Sequence, residues 1–329
     1  MAVIAENLYA PEMVPFVQSL DEALTEPVAL GLHRKHGLAR LAAGLLFALS
    51  PVSYRAFLPQ AKAQFYAEAP MSMQPERLVG PGDELNIMTY NIKSGELGID
   101  GIAHVVKSQN LDLLFTNEDR EVRSSQTGAD LEQLIGMKKL FGESLVDEEG
   151  AFGNGIYTRL PVVGFHTYSL GNYRHAEHRT LSVAVLQIAN GRHIAVATSH
   201  EENRQTKVRQ IQMQRIVSIL KDRYSNMPIL FGGDLNDGPD SKTAKELGTL
   251  LQPVRLGSAL DDDTSPNHLR GQIDHIFIPN DWHYLGSKIV GQEGESDHRG
   301  IVAHVLIPSF VVLDRGILGA DTDKELCHV

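Results

Sequence analysis

The stretch "PILFGGDLND", residues 228–237, passes from an apolar run directly into a polar one. Its first part has the composition of a buried strand, which we predict over 228–234. Asp234 and Asn236 then stand at the end of that strand, where loops are free to vary while the sheet holds side chains in place. A carboxylate and an amide at such a point can bind a metal ion or orient water.

The same arrangement recurs at other predicted strands along the chain. Polar side chains able to hold a metal or move a proton end, precede or closely flank these strands: Asn91, Glu118, His200, and Asp297 with His298. Such a repeated coincidence indicates one site, built where strand ends meet.

Apolar and β-branched runs alternate with helical stretches after residue 84, which predicts an α/β or α+β domain. Strands are predicted at 85–91, 111–117, 153–159, 181–188, 193–200, 228–234, 272–278 and 300–307. Helices are predicted around Leu131 to Ile135, over 207–222, and around Leu247 to Leu251, where apolar residues recur at helical spacing.

The N-terminal part of the chain has a different sequence pattern from the predicted α/β or α+β domain. Residues 1–66 have helical spacing, and the Pro- and Gly-rich stretch 69–84 is typical of a linker. We therefore expect a helical extension with linker over 1–80, a catalytic domain over 81–308 and a tail over 309–329. Within 31–63, a basic stretch followed by the apolar run Leu38 to Leu49 fits either an export signal with a misplaced start or a helix packed on the domain. The cytoplasm is expected in the second case and export in the first.

The net charge, the cysteine count and the motifs that are absent exclude several classes of ligand and enzyme. The 329 residues carry a formal net charge of −11, which disfavours tight, sequence-independent binding of duplex nucleic acid and suits divalent cations. The single cysteine, Cys327, excludes an internal disulfide. No Gly-x-Ser-x-Gly elbow or phosphate-cradling glycine loop is present, which argues against a serine hydrolase or a nucleotide kinase.

The candidate ligands at the strand ends are oxygen donors, which favour Mg²⁺ or Mn²⁺ over zinc. Two histidines beside them can contact a phosphate or shuttle protons. This combination indicates metal-assisted hydrolysis of a phosphoester by an activated water.

An ordered series of motifs carries a resemblance to a known family. These motifs are "TYNIKSG" (89–95), "DLLFTNE" (112–118), "NGIYTRLPV" (154–162), "ATSHEE" (197–202), "GGDLND" (232–237), "QIDHIFIP" (272–279) and "SDHRG" (296–300). In order and rough spacing they resemble the endonuclease/exonuclease/phosphatase superfamily, which has the fold of pancreatic deoxyribonuclease. The resemblance implies a four-layered sandwich, in which two packed mixed β-sheets are flanked by helices.

The resemblance also implies roles for individual residues. Asn91, Glu118 and Asp297 would hold the metal. Asp234 and Asn236 would orient the water and the phosphate.

The remaining roles belong to the imidazoles and their partners. His200 would contact the phosphate, and His298 would be the second active-site imidazole, with Asp274 orienting it. Arg179 is a candidate phosphate contact.

The motifs depart from the family pattern at two points. Asn117–Glu118 stands where the family usually has Gln-Glu, and Arg299–Gly300 replaces the proline that commonly follows "SDH". Neither change removes a chemical group, so we expect activity, with effects on substrate preference.

The expected function is that of a monomeric phosphodiesterase of nuclease type. The alternatives are a phosphodiesterase or phosphatase acting on phospholipid, sphingolipid or phosphoinositide headgroups, and a non-catalytic scaffold of the same fold. The expected partner is the phosphoester substrate, either nucleic acid or a lipid headgroup, and no protein partner is indicated.

Overall fold

The structure of the protein is a computed structural model, and it describes residues 73–74, 76–122, 130–256, 263–265, 271–292 and 294–309. These residues belong to one of the two compact units of the chain, Ala61–Val329. The predicted N-terminal helices, the possible export signal and the C-terminal tail lie outside the described residues. The predicted domain boundary stays a prediction.

Twelve strands and four α-helices make up the described residues, and runs of consecutive strands occur between the helices. The strands are β1 (Glu84–Asn91), β2 (Leu113–Val122), β3 (Lys138–Asp147), β4 (Gly150–Thr158), β5 (Val162–Ser169), β6 (Thr180–Gln187), β7 (His193–His200), β8 (Ile229–Asp234), β9 (Gln252–Pro253), β10 (Asp274–Ile278), β11 (His283–Val290) and β12 (Gly300–Leu306). The helices are α1 (Ile99–Lys107), α2 (Leu131–Ile135), α3 (Thr206–Tyr224) and α4 (Lys242–Leu247), besides 3₁₀ turns at Lys93–Gly95 and Ala189–Gly191.

The strands form two six-stranded sheets, which we call sheet A and sheet B. The strand order is β11-β12-β1-β2-β4-β3 in sheet A and β5-β6-β7-β8-β10-β9 in sheet B. Each sheet is mixed, because β1 runs parallel to β2 and β7 runs parallel to β8 while the other pairs are antiparallel.

The side chains of β1 are buried on both faces of sheet A. Leu85 and Ile87 point into the core between the two sheets, whereas Met88 and Tyr90 pack on the other face against α1 and α2. Sheet B is covered in the same way by α3 and α4. A strand buried on both faces needs apolar residues at successive positions, as the sequence of β1 has. The predicted four-layered sandwich is confirmed.

The predicted strands all occur, with boundaries shifted by a few residues. The helix predicted around Leu247 to Leu251 is wrong in its second half, because α4 ends at Leu247 and a 3₁₀-like turn follows. No prediction covered α1, β3, β5, β9 or β11. Three of these strands, β3, β5 and β11, are only partly buried, and their sequences lack a strong apolar run.

Among the described helices, none combines the length and the apolar composition needed to cross a lipid bilayer.

Gly232 of β8 lies at a close contact between the two sheets. A Cβ at this position would stand 2.3 Å from Cδ2 of the buried ring of Phe115 in the facing sheet. We expect Gly232→Ala to lower the free energy of unfolding by about 1 to 3 kcal/mol, because a packed core cannot accept the extra methyl without shifting. Urea denaturation followed by circular dichroism measures this change.

Gly164→Ala is the matched control. Gly164 lies in the edge strand β5, and nothing stands within 4 Å of the Cβ that it would gain. This substitution should leave the stability unchanged or raise it by about 0.5 to 1 kcal/mol. Equal unfolding midpoints for the two variants would contradict the packing described here.

Candidate active site

The strand-end residues meet at one edge of the sandwich. Asn91 ends β1 and pairs in register with Asn117 of β2. In the other sheet, Asp234 at the end of β8 is paired with His200 of β7 on one side and with Asp274 of β10 on the other. Strand register thus places side by side residues that are 26 to 40 positions apart in sequence.

The Asn91 side chain links the two sheets at this edge. Its Nδ2 donates to Glu118 Oε1 at 3.1 Å and to Asp234 Oδ2 at 3.2 Å. Asn91 is fully buried. One amide therefore bridges a carboxylate of sheet A and a carboxylate of sheet B.

This bridge fits a hard divalent cation. Two carboxylates, one from each sheet, converge on one polar group, and carboxylate oxygens are ligands that such cations prefer. One oxygen each of Asp234 and Asp274 and a ring nitrogen of His298 also lie within 4.8 Å of one another. Asp274 and His298 are already hydrogen-bonded to each other. Asp234 contacts Asn91, so of these three residues it is the best placed to share a cation with Glu118 and Asn91.

Asp297 reaches the site through a lysine. Lys93 Nζ lies 3.1 Å from Asp297 Oδ2, and the Lys93 backbone N–H donates to Asn91 Oδ1 at 3.2 Å. The turn before β12 is tied to β1 because Ser296 Oγ donates to Asn91 O at 2.7 Å. Asp297 is thus brought to the edge of the site, paired with a cation that the motifs did not single out.

His298 and Asp274 form a buried pair. His298 Nδ1 lies 2.8 Å from Asp274 Oδ2, which leaves Nε2 facing Asp234 Oδ2 at 3.9 Å. Burial lowers the pKa of His298, but the charge and hydrogen bond of Asp274, together with Asp234 and Asp297, outweigh burial and raise this pKa to about 10. Burial and the charge of Asp274 raise the pKa of Asp234 to about 7. In the metal-free site these shifts favour a protonated His298.

His200 has the opposite character. Arg179 Nη1 lies 3.0 Å from His200 Nδ1 and Asn236 Nδ2 lies 2.9 Å from His200 Nε2, so donor groups flank both ring nitrogens. Nε2 is 3.5 Å from Asp234 Oδ2. Burial, and the positive charges of Arg179 and His298, hold the pKa of His200 well below its usual value. His200 is thus a neutral imidazole.

Arg179, the candidate phosphate contact, is buried beside His200. It is 3% exposed, and its second guanidinium nitrogen, Nη2, pairs with Glu177 at 2.9 Å. Its direct partner in the site is the ring of His200.

Asn236 is held in a turn that fixes its amide beside His200. Its backbone has φ 50°, and its N–H donates to Asp234 Oδ1 at 2.8 Å. Its Nδ2 donates to Glu201 O at 3.0 Å and lies 2.9 Å from His200 Nε2. Asparagine tolerates this left-handed backbone better than most residues.

The departure at Asn117 turns out to be structural. Asn117 Oδ1 accepts from the backbone N–H of Asp234 at 2.8 Å, and Nδ2 donates to Ser199 O at 3.1 Å and to Asn154 Oδ1 at 2.9 Å. Its side chain is fully buried. It therefore connects sheet A to the ends of β7 and β8.

Arg299 is not an open positive charge beside the pocket. Its backbone N–H donates to Thr264 O at 2.8 Å, and its guanidinium donates to Asp263 O. Thr264 Oγ1 accepts in turn from the backbone N–H groups of Ile273 and Asp274, at 3.0 and 3.2 Å. Arg299 thus supports the start of β10. At Gly300, a Cβ would stand 2.2 Å from Met88 Cε, the flexible end of that side chain, which would have to shift to accept it.

Glu201 is a buried acid that the sequence did not single out. It is fully buried, and neither carboxylate oxygen has a hydrogen-bond partner of good geometry. Burial raises the pKa of Glu201 to about 8, and the nearby Ser199 hydroxyl only partly offsets this effect. The sequence offers no signal of it, because Glu201 and Glu202 read as a polar loop.

An edge of a four-layered sandwich that gathers carboxylates, amides and two unlike histidines defines a hydrolase of phosphoester bonds. The chain belongs to the Endonuclease/Exonuclease/phosphatase family, whose model matches residues 88–298. No curated protein matches the sequence.

Solved structures share the fold. An endonuclease/exonuclease/phosphatase from Beutenbergia cavernae DSM 12333 matches with a TM-score of 0.57 and 19% identity, over 68% of this chain and 72% of its own. A mannosyl-6-phosphatase from Bacteroides thetaiotaomicron VPI-5482 matches with a TM-score of 0.56 and 17% identity, over 68% and 99%. TDP2 of D. rerio, complexed with a single-strand DNA product, matches with a TM-score of 0.55 and 18% identity, over 68% and 99%.

We expect Asp274→Asn to lower the pKa of His298 in the metal-free protein by about one to three pH units, because it removes the partner charge that raises it. An NMR pH titration of the His298 ring measures this pKa. Asp281→Asn is the control, since Asp281 is an exposed residue beyond the opposite end of β10. An unchanged His298 pKa in Asp274→Asn would show that the pair does not govern protonation.

Glu201→Gln should stabilise the protein increasingly as pH rises. The carboxyl ionises near pH 4.5 in the unfolded chain but near 8 in the folded protein, so the unfolded state gains stability between these values. The stability that wild-type Glu201 provides by staying protonated is therefore fully present below pH 4.5. It is lost progressively as pH rises through about 8. Thermal unfolding at pH 5 and pH 8 should show a wider gap in Tm between variant and wild type at pH 8.

Glu148→Gln is the control for this pH series, because Glu148 is exposed in the turn between β3 and β4. Its Tm difference from the wild type should not change with pH. A Glu201→Gln series as flat as that of Glu148→Gln would mean that Glu201 is ionised in the folded protein.

Proposed function

We propose that the protein hydrolyses a phosphoester with a divalent cation, Mg²⁺ or Mn²⁺, and an activated water. The observation that carries the proposal is the bridge from Asn91 to Glu118 and Asp234, which gathers oxygen donors from both sheets. Enzymes of this family typically depend on a divalent metal, and carboxylate and amide oxygens are the donors that hard cations prefer. Asn91 and Glu118 would hold the cation, with Asp297 at the edge of the same site.

A bound divalent cation would supply charge neutralisation at the phosphoryl oxygens and the leaving group. The side chains around it supply the rest of the chemistry. His200, a neutral imidazole beside Arg179, would contact a phosphoryl oxygen as negative charge develops there. Asp234 and Asn236 would orient the attacking water and the phosphate.

His298 would move a proton at Nε2, while Asp274 fixes the ring by accepting from Nδ1. A cation near Asp234 and Asp297 would oppose the charges that raise the pKa of His298 and bring this pKa nearer to the working pH. The His298–Asp274 pair then serves as the general acid and base of the reaction. This assignment supports an active enzyme over a non-catalytic scaffold, because every group that the chemistry needs is present.

The surface charge favours a small phosphoester or a lipid headgroup over duplex nucleic acid. Of the basic residues near the site, Arg179, Arg209 and Arg299 are engaged by the protein's own carboxylates, carbonyls or ring nitrogen. The exposed ones that remain are Arg174, Arg204 and Lys207. With a net charge of −11, these are few cations with which to hold a polyanion.

The fold itself serves more than one substrate class, so it does not choose among them. One similar structure is named a mannosyl-6-phosphatase, and another holds a single-strand DNA product. A diester remains our first candidate substrate and a headgroup ester the alternative.

Asp234→Asn should lower turnover of a chromogenic phosphodiester by about 100-fold or more, because it removes a charge that orients the water. The assay uses Mg²⁺ or Mn²⁺ and includes a chelator arm, which should abolish turnover. Asp240→Asn is the matched control, since Asp240 is exposed in the same loop. Turnover that survives both the chelator and Asp234→Asn would refute the proposed function.

Substrate class is separated by a second assay with the wild-type protein. Release of soluble headgroup from liposomes without nicking of plasmid DNA supports the headgroup reading, and nicking without headgroup release supports the nuclease reading.

A further inference from the structure

Glu118 lies in a β-bulge, which decides where its carboxylate points. Along β2 and β4 the register passes from Thr116 opposite Gly155 to Asp119 opposite Gly153, so Asn117 and Glu118 together face Asn154. Glu118 has φ 52°, a left-handed backbone that glutamate rarely adopts. Such a conformation persists only where the surroundings hold it in place.

The residue after the bulge is a buried acid with every acceptor position engaged. Asp119 accepts from Thr116 Oγ1 at 2.7 Å and from Tyr157 OH at 2.9 Å through Oδ2. Through Oδ1 it accepts from Lys139 Nζ at 3.0 Å and from the backbone N–H of Arg120 at 2.7 Å. We call Asp119 with Thr116, Lys139 and Tyr157 the Asp119 cluster.

Lys139 is as deeply buried as its partner, with 4% of its side chain exposed. Its Nζ also donates to Arg120 O at 3.0 Å and lies over the rings of Phe141 and Tyr157, at 5.1 and 5.7 Å. Burial lowers the pKa of Lys139, but the charges of Asp119 and Asp130 outweigh burial and raise this pKa above its usual value. A charged pair is thus enclosed directly behind the bulge.

The Asp119 cluster fits beside β4 because position 155 is a glycine and has no side chain. A Cβ on Gly155 would stand 2.4 Å from Thr116 Oγ1 and 2.5 Å from Asp119 Oδ2. Any other residue at position 155 would displace the carboxylate.

The opposite flank of the bulge is held by a second contact. Ser94 Oγ donates to Glu118 O at 3.3 Å and accepts from Arg120 Nε at 3.1 Å. The backbone on both sides of Glu118 is therefore fixed, and Glu118 Oε1 is left to accept from Asn91.

We propose that Asp119 and Lys139 are positioning residues for Glu118, which lock the bulge that aims its carboxylate at Asn91 and so set the affinity of the site for a divalent cation. The inference rests on the proposed function, in which Glu118 is a metal ligand. The Asp119 cluster lies on the helix-covered face of sheet A, to which Tyr157 belongs, and away from the reacting groups. Asp119 is adjacent to Glu118 in β2, so the cluster influences the position of the Glu118 carboxylate through the backbone of this strand.

Asp119→Asn tests the inference, with Asp112→Asn as the matched control. Asp112 is an equally buried acid at the other end of β2, where it accepts from Arg77 at 2.6 Å and from Asn86 N at 2.9 Å. Calorimetric titration of the metal-free protein with Mn²⁺ measures affinity without turnover. Asp119→Asn should weaken Mn²⁺ binding by about tenfold or more, as loss of a supporting residue behind a ligand typically does. Asp112→Asn should lower Tm and leave the Mn²⁺ affinity as in the wild type.

Two further variants separate the possible failures. Glu118→Gln should abolish most Mn²⁺ binding; if it binds as tightly as the wild type, the proposed metal site is wrong and the inference falls with it. If Glu118→Gln loses binding while folded Asp119→Asn keeps it, the metal site stands and the positioning role is wrong. An equal loss in Asp112→Asn and Asp119→Asn would also overturn the positioning role, because it would then reflect stability alone.

Milder changes cover the case in which Asp119→Asn does not fold. Tyr157→Phe removes one of the four hydrogen bonds of Asp119 and keeps the ring, so it should weaken Mn²⁺ binding to a smaller extent. Lys139→Met should weaken it and Lys139→Arg should retain most of it, because arginine restores the charge. Unchanged Mn²⁺ affinity in both Tyr157→Phe and Lys139→Met would overturn the inference.

Discussion

The side chain of Asn117 holds the two sheets in one alignment at the site. The apolar core between the sheets is large but non-directional, so burial alone does not fix how one sheet slides along the other. Asn117 supplies the direction, since its amide connects β2 to Asp234 N and Ser199 O of the facing sheet. A site whose groups come from both sheets needs such a link, because catalytic geometry tolerates displacements of only about 0.5 Å.

The second constraint is the concentration of negative charge at a buried edge. Glu118, Asp234, Asp274 and Asp297 approach one another where water is largely excluded, and the pKa of Asp234 rises accordingly. The protein offsets part of this charge with its own cations: Lys93 on Asp297 and His298 on Asp274. What these cations leave uncompensated is the negative charge around Asn91, and this is where a divalent cation would be stabilised most.

The strand-end residues that meet at this edge are easier to recognise in the sequence than some of the strands around them. Polar residues that end apolar strands are visible in the sequence, so Asn91, His200, Asp234 and His298 were found before their contacts were known. Edge strands such as β5 and β11 were missed because their half-buried positions leave a weak apolar pattern. Glu201 and Lys93 were missed because burial and pairing depend on residues distant in sequence.

The burial of Asp119 was missed for a more specific reason, which is the β-bulge beside it. Simple alternation along β2 places residue 119 on the same face as Asn117, and "NEDR" reads as a charged loop. The extra residue in the bulge reverses the alternation, which turns Asp119 to the opposite face, against Tyr157 and Lys139. A single inserted residue cannot be recognised from local pattern, because its neighbours have the composition of an exposed turn.

The pairing of β1 with β12 has a consequence for how the protein is made. β1 lies between β2 and β12, so the first strand of sheet A completes its hydrogen bonding only with the last. His298 and Asp297 stand directly before that last strand. During synthesis on the ribosome, the growing chain therefore carries Asn91, Glu118, His200 and Asp234 before it carries β12, and a chain halted before residue 297 lacks Asp297, His298 and the second partner strand of β1. The centre of sheet A can close only after nearly the whole domain has been made, so its folding follows synthesis of the domain as a unit.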